Sequence, residues 1–170
     1  ILVLTAVGRG VFHADPGPEH LLRAADSQIV LVGCPVLGRL APDLRRAGYA
    51  YLTSVLSGDH AAQVTAMRDA GAIPDGTDIE ALVADVTAGG SLDPMALLGS
   101  GGSAALLDGL RDAVAILLRH RLRPPLEVVL LVRGLFALQR VLLVAAPGAT
   151  LTGSLLPLLP RLPELAADGV

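Results

Sequence analysis

Glycine and proline cut this chain into apolar segments of helical length, and that punctuation constrains the fold most. Pro42 suits a first helical turn and Asp43 favours the positive end of the helix dipole, so a helix is expected to run from there to about Ser57 and stop at Gly58. Asp59 can cap the next helix, with Gly71 just past its end. Thr77 and Glu80 have the spacing of a capping box for a helix through Ala88, ended by Gly89-Gly90. Asp93-Pro94 can start a short helix, and Gly99 to Ser103 reads as a flexible break. Ala104 to Leu122 and, after Pro124-Pro125, Leu126 to Val144 read as long helices. Hydrophobic residues make up 52% of the chain and aromatics 2%, so these helices must pack through Leu, Val and Ala.

Composition excludes several function classes. The net charge is -3, which argues against a nucleic-acid partner, because phosphate neutralisation needs a basic excess. The single cysteine, Cys34, excludes an intramolecular disulfide and fits a reducing compartment, so a cytoplasmic location is expected. The apolar stretch Leu126 to Ala146 is interrupted by Glu127, Arg133, Gln139 and Arg140. Charges at a bilayer centre cost about 2.5–3.5 kcal/mol each, which favours a buried or interfacial helix over a spanning one. The first residue is Ile1 and no charged segment precedes the short apolar run to Val7, which reads as the start of a fragment rather than a signal peptide.

The first forty residues differ in character. Ile1 to Phe12 reads as the end of a helix entering a loop, and His13 to His20 is rich in Asp, Gly and Pro, hence a constrained loop. Leu21 to Ala25 and Gln28 to Val32 flank Asp26-Ser27 as a β-hairpin, and Gly33 to Gly38 is a second loop. The fold class expected is therefore mainly α with a small β-hairpin. Residues 148–170 read as a Pro-punctuated tail.

These two loops carry a resemblance. Gly10-Val11-Phe12-His13-Ala14-Asp15-Pro16 resembles the start of the UbiB/AarF signature G-x-F-H-A-D-P-H-P-G-N. Val30 to Leu40, ending Gly38-Arg39-Leu40, falls on that family's stretch L-L-D-F-G-M-V-G-R-L. Arg123-Pro124-Pro125, Arg133 and Pro147 echo its C-terminal segment. The resemblance implies that residues 1–147 are the C-terminal portion of a kinase-like domain, a partial protein-kinase-like C-lobe (α+β). The family consists of atypical kinases or ATPases linked to quinone biosynthesis and lipid handling, often at membranes, so ATP and Mg²⁺ are its implied cofactors.

Phosphoryl transfer in such a fold depends on placing charges. A catalytic-loop Asp orients the nucleophile, an Asn and a second Asp hold Mg²⁺, and a Lys grips the phosphates. By resemblance, Asp15 takes the catalytic-loop position and His13 the motif's first histidine. The metal-binding Asn position holds His20, although Mg²⁺ prefers oxygen ligands. Gly17 replaces the motif's second histidine and Glu19 its last glycine. Gly33 stands where the metal-binding Asp belongs, followed by Cys34 and Pro35. All 13 basic residues are arginine, so this chain holds no phosphate-gripping lysine. The leading expectation is an inactive, pseudokinase-like piece with no cofactor of its own. One alternative is an active kinase or ATPase completed by a missing N-terminal lobe or a protein partner. Another is a lipid-associated module peripheral to the membrane, which would use the cluster Arg119-His120-Arg121-Leu122-Arg123. The competing reading of that cluster is cations complementing a helix C-terminus.

Overall fold

The computed structural model describes residues 2–23, 25, 29–33, 36–89, 111 and 113–145. The chain divides into two compact units, one formed by Ile1–Leu40 with Leu126–Val170 and the other by Ala41–Pro125. The boundaries expected from sequence, 1–147 and 148–170, do not show this division, and the tail lies outside the described residues, as do Cys34, Pro35 and the segments around Pro94 and Gly101.

In the first unit, helix α1 (Leu2–Arg9) leads through Gly10 into strand β1 (Val11–His13). A 3-10 turn (Pro18–His20) precedes strands β2 (Leu21–Arg23) and β3 (Ile29–Leu31), and strand β4 (Leu37–Arg39) follows. Strands β2 and β3 form the expected antiparallel hairpin, with Leu22 opposite Val30. A second antiparallel pair joins β1 to β4, Phe12 opposite Gly38. The sequence reading missed this pair and placed Gly38 in a loop, because glycine is depleted in strands. Here glycine is required: a Cβ at Gly38 would collide with the ring of Phe12, which lies across it. Phe12 is 1% exposed and packs with Ala6 and Ala14 against Leu40, Leu130, Leu131 and Leu135. The last three residues lie on the long helix of this unit, Leu126–Ala145.

The second unit is helical. Helix α2 (Pro42–Ser57) ends on Gly58 in the left-handed region, as the sequence predicts. Helix α3 (His60–Asp69) starts on Asp59, whose side chain accepts a hydrogen bond from the Ala62 N–H, and ends beside Gly71. Helix α4 (Ile79–Gly89) is capped by Asp78 rather than Thr77. Asp78 accepts from the Ala81 N–H, while the Thr77 hydroxyl donates to the Pro74 carbonyl and so is not available to the helix. Residues 113–119 form helix α5, and it closes before Leu122. The Leu122 N–H returns to the Leu117 carbonyl at 2.8 Å and the Arg121 N–H to Leu118 at 3.2 Å, with Arg121 left-handed at φ 53°. This closing turn folds Leu122 into the core with Val64, Met67, Ala72, Leu82, Val86 and Ile116. Helix α6 is the segment Leu126–Ala145 already described. Among the described residues no helix is long and apolar enough to cross a membrane, in line with the charges that interrupt α6.

Candidate functional site

Pairing of β1 with β4, and of β2 with β3 inside it, sets residues 14–20 beside Val32, Gly33 and Val36. Two backbone hydrogen bonds fasten them: Ala14 N–H donates to the Val36 carbonyl at 3.0 Å, and Val32 N–H to the His20 carbonyl at 2.8 Å. As a result the three positions singled out in the sequence, Asp15, His20 and Gly33, occupy one region of the first unit. Asp15 and His20 touch directly, because His20 Nδ1 lies 2.9 Å from the Asp15 carbonyl oxygen. That oxygen only accepts, so Nδ1 of His20 carries the proton. Gly33 neighbours the other edge of the same ring, since a Cβ there would lie 3.4 Å from His20 Cδ2. Gly33 has φ +58°, a conformation that disfavours the aspartate the resemblance calls for.

His13 is buried at 4% exposure. Its Nδ1 accepts the Asp15 N–H at 3.1 Å, which leaves the ring proton on Nε2. Nε2 is buried with no hydrogen-bond partner among the described residues, and the His13 and His20 rings stand 5.2 Å apart. The two histidines thus hold the Asp15 backbone, one through its N–H and the other through its carbonyl. That role braces the loop and explains both residues without acid-base chemistry. The Glu19 carboxylate lies 3.6 Å from His20 Nδ1 and is well exposed.

The Asp15 carboxylate meets a partner that sequence reading did not assign to it. Arg133 Nη2, 118 positions away on α6, donates to Asp15 Oδ2 at 3.2 Å. The approach depends on Gly134: a Cβ there would lie 3.0 Å from the His13 carbonyl oxygen and 3.5 Å from that of Ala14. Glycine inside a helix costs about 1 kcal/mol relative to alanine, and here it lets α6 press against the loop backbone. No group of three or more metal-ligating side chains occurs among the described residues. Asp15 and Glu19 are the carboxylates of this loop, and Gly33 supplies none.

In the second unit, the basic cluster is partly engaged. Arg119 Nη1 and His120 Nε2 each lie 2.8 Å from Asp85 Oδ2 on α4. These hydrogen bonds, that of His120 foremost and then that of Arg119, hold the Asp85 carboxyl below the usual carboxylate range. The cluster therefore ties α5 to α4 rather than only complementing a helix end. Arg121 and Arg123 are exposed, as is Leu118 at 73%.

Comparison with models of known protein families, with curated proteins and with solved structures returned no match for this chain.

Proposed function

We propose that the first unit is the catalytic-loop core of a kinase-like C-lobe, of UbiB/AarF type, that has lost metal-dependent phosphoryl transfer and is pseudokinase-like. The observation that carries this reading is the convergence of Asp15, His20 and Gly33. A phosphoryl-transfer site needs its nucleophile-orienting Asp and its metal ligands around one phosphate. The residues at those positions meet in one place although they are spread over 19 positions of sequence, from Asp15 to Gly33.

The same geometry argues against turnover. Gly33 offers no carboxylate and takes a left-handed backbone. His20 turns its protonated nitrogen to the Asp15 carbonyl and fills the space beside Gly33 with an imidazole ring. Losing such positioned charges costs orders of magnitude in rate, because they act by preorganised electrostatics. Phosphate release from ATP with Mg²⁺ or Mn²⁺, measured on the purified chain, tests the reading. No release above buffer is expected; turnover abolished by Asp15→Ala refutes it and favours the active alternative, with its link to quinone or lipid metabolism.

A lipid-associated role is favoured by one specific observation, the exposure of Leu118 beside Arg121 and Arg123. Arg119 is engaged by Asp85, which leaves Arg121 and Arg123 as the cations beside Leu118. Flotation with anionic vesicles tests it: binding lost in Leu118→Ser with Arg121→Ser and Arg123→Ser supports a peripheral membrane role, and unchanged binding removes these residues from it.

A further inference from the structure

We infer that Arg133 is the resident cation of the Asp15 loop: its guanidinium takes the place beside this carboxylate that a divalent metal ion would need. The inference rests on the kinase-like reading for its context but on separate observations for its substance. Asp15 Oδ2 and Arg133 Nη2 are 3.2 Å apart. The pair is not a chance meeting of two long surface chains. Arg133 precedes Gly134, whose missing side chain brings the α6 backbone onto the His13 and Ala14 carbonyls. Asp15 is fixed from its own side, by its N–H to His13 Nδ1 and its carbonyl to His20 Nδ1. The backbones that carry the two side chains are therefore held close together, while the Arg133 side chain itself stays exposed.

The electrostatic consequence follows directly. The loop carries two carboxylates, on Asp15 and Glu19, and a divalent ion attracted by them would approach the Arg133 guanidinium. Like charges of +1 and +2 about 5 Å apart in water weaken ion binding by roughly tenfold, and more where water is excluded. A carboxylate already satisfied by a guanidinium also gains less from a metal. Gly33 offers no carboxylate, and the Arg133 guanidinium offsets the charge of Asp15, so this carboxylate has a cation beside it without a metal. Arg133 acts as a positioning and charge-compensating residue for Asp15.

The test is a titration with Mn²⁺ alone, no nucleotide present, read by electron paramagnetic resonance of the free ion. Wild-type protein is expected to show no saturable site that depends on Asp15. Arg133→Gln is expected to gain one, at least about tenfold tighter than any residual wild-type uptake, and Arg133→Gln with Asp15→Asn is expected to lose it. Arg133→Lys keeps the positive charge without the guanidinium fork and is expected to exclude Mn²⁺ like wild type, a result that a purely structural role for arginine would not produce. Arg133 is exposed, so these variants are expected to fold, and circular dichroism verifies it. An Asp15-dependent Mn²⁺ site in wild type overturns the inference, as does a folded Arg133→Gln that takes up no Mn²⁺. Neither result bears on ATP turnover, so failure here is distinguishable from failure of the kinase-like reading.

Discussion

Replacing Gly38 with alanine tests whether the β1–β4 pair is held by the ring of Phe12. The added Cβ collides with that ring, which is buried among Ala6, Ala14, Leu40, Leu130, Leu131 and Leu135 and cannot swing into solvent. Forcing extra volume into a packed core costs about 1–3 kcal/mol, and the rigidity of an aromatic ring places this site in the upper half of that range. Phe12→Ala by itself removes a fully buried aromatic side chain and costs about 3–5 kcal/mol. In the double variant the collision has gone, so the substitution at Gly38 becomes nearly neutral. The coupling between the two sites is then about 1–3 kcal/mol, well above what independent positions show. Urea unfolding followed by far-ultraviolet circular dichroism measures all four proteins. Equal cost of Gly38→Ala in the presence and absence of Phe12 refutes the proposed contact, and with it the second strand pair that brings Asp15 towards Gly33.

Three further outcomes follow from the same geometry. Both tyrosines, Tyr49 and Tyr51, lie in the second unit, so tyrosine fluorescence reports that unit during unfolding. The Asp85 carboxyl is depressed in the folded chain, so its contribution is present above the ordinary value of 3.8 and is lost as pH falls below it through the folded value; Asp85→Asn is expected to flatten the acid limb of fluorescence-detected stability against pH. Asp78→Ala is expected to cost about 0.5–2 kcal/mol by removing the α4 cap, and Thr77→Ala less, with the opposite ranking in the same unfolding assay contradicting the assignment. Gly33→Asp, which supplies the carboxylate that the UbiB/AarF resemblance implies at this position, is expected to lose about 1–2 kcal/mol to its left-handed backbone and to show no ATP hydrolysis, and hydrolysis in a phosphate-release assay contradicts that.

What the sequence reveals here divides by range. The bounds of α2 and α3 are local matters, set by Pro42, Gly58, Asp59 and Gly71, and all are legible. The α4 cap misleads by one residue, because a capping-box pattern at Thr77 sits beside an aspartate that competes better for the same N–H groups. Strands β1 and β4 have three residues each, too few for an alternating pattern, and Gly38 counts against a strand until the ring above it is known. Sequence alone also hides the return of α6 to the first forty residues. The hydrophobic pattern marks α6 as a helix but does not say which unit it completes.

The site shows the same divide. Two short linear stretches, one from Gly10 to His20 and one from Val30 to Leu40, single out Asp15, His20 and Gly33 by resemblance. The partner of Asp15 is 118 positions distant, and the local hint is a glycine inside a helix, next to an arginine that the UbiB/AarF resemblance singles out in the sequence. Likewise Arg119 and His120 read as cations complementing a helix end, or facing a lipid, until Asp85, 34 and 35 positions earlier, is brought to them.

The decisive measurement is calorimetric titration of the chain with ATP, performed with and without Mg²⁺. With no carboxylate at Gly33, an imidazole at His20 and a guanidinium on Asp15, the heat and affinity of any nucleotide binding should be indifferent to the metal. Tighter binding on adding Mg²⁺, abolished when Asp15 becomes alanine, would contradict the account.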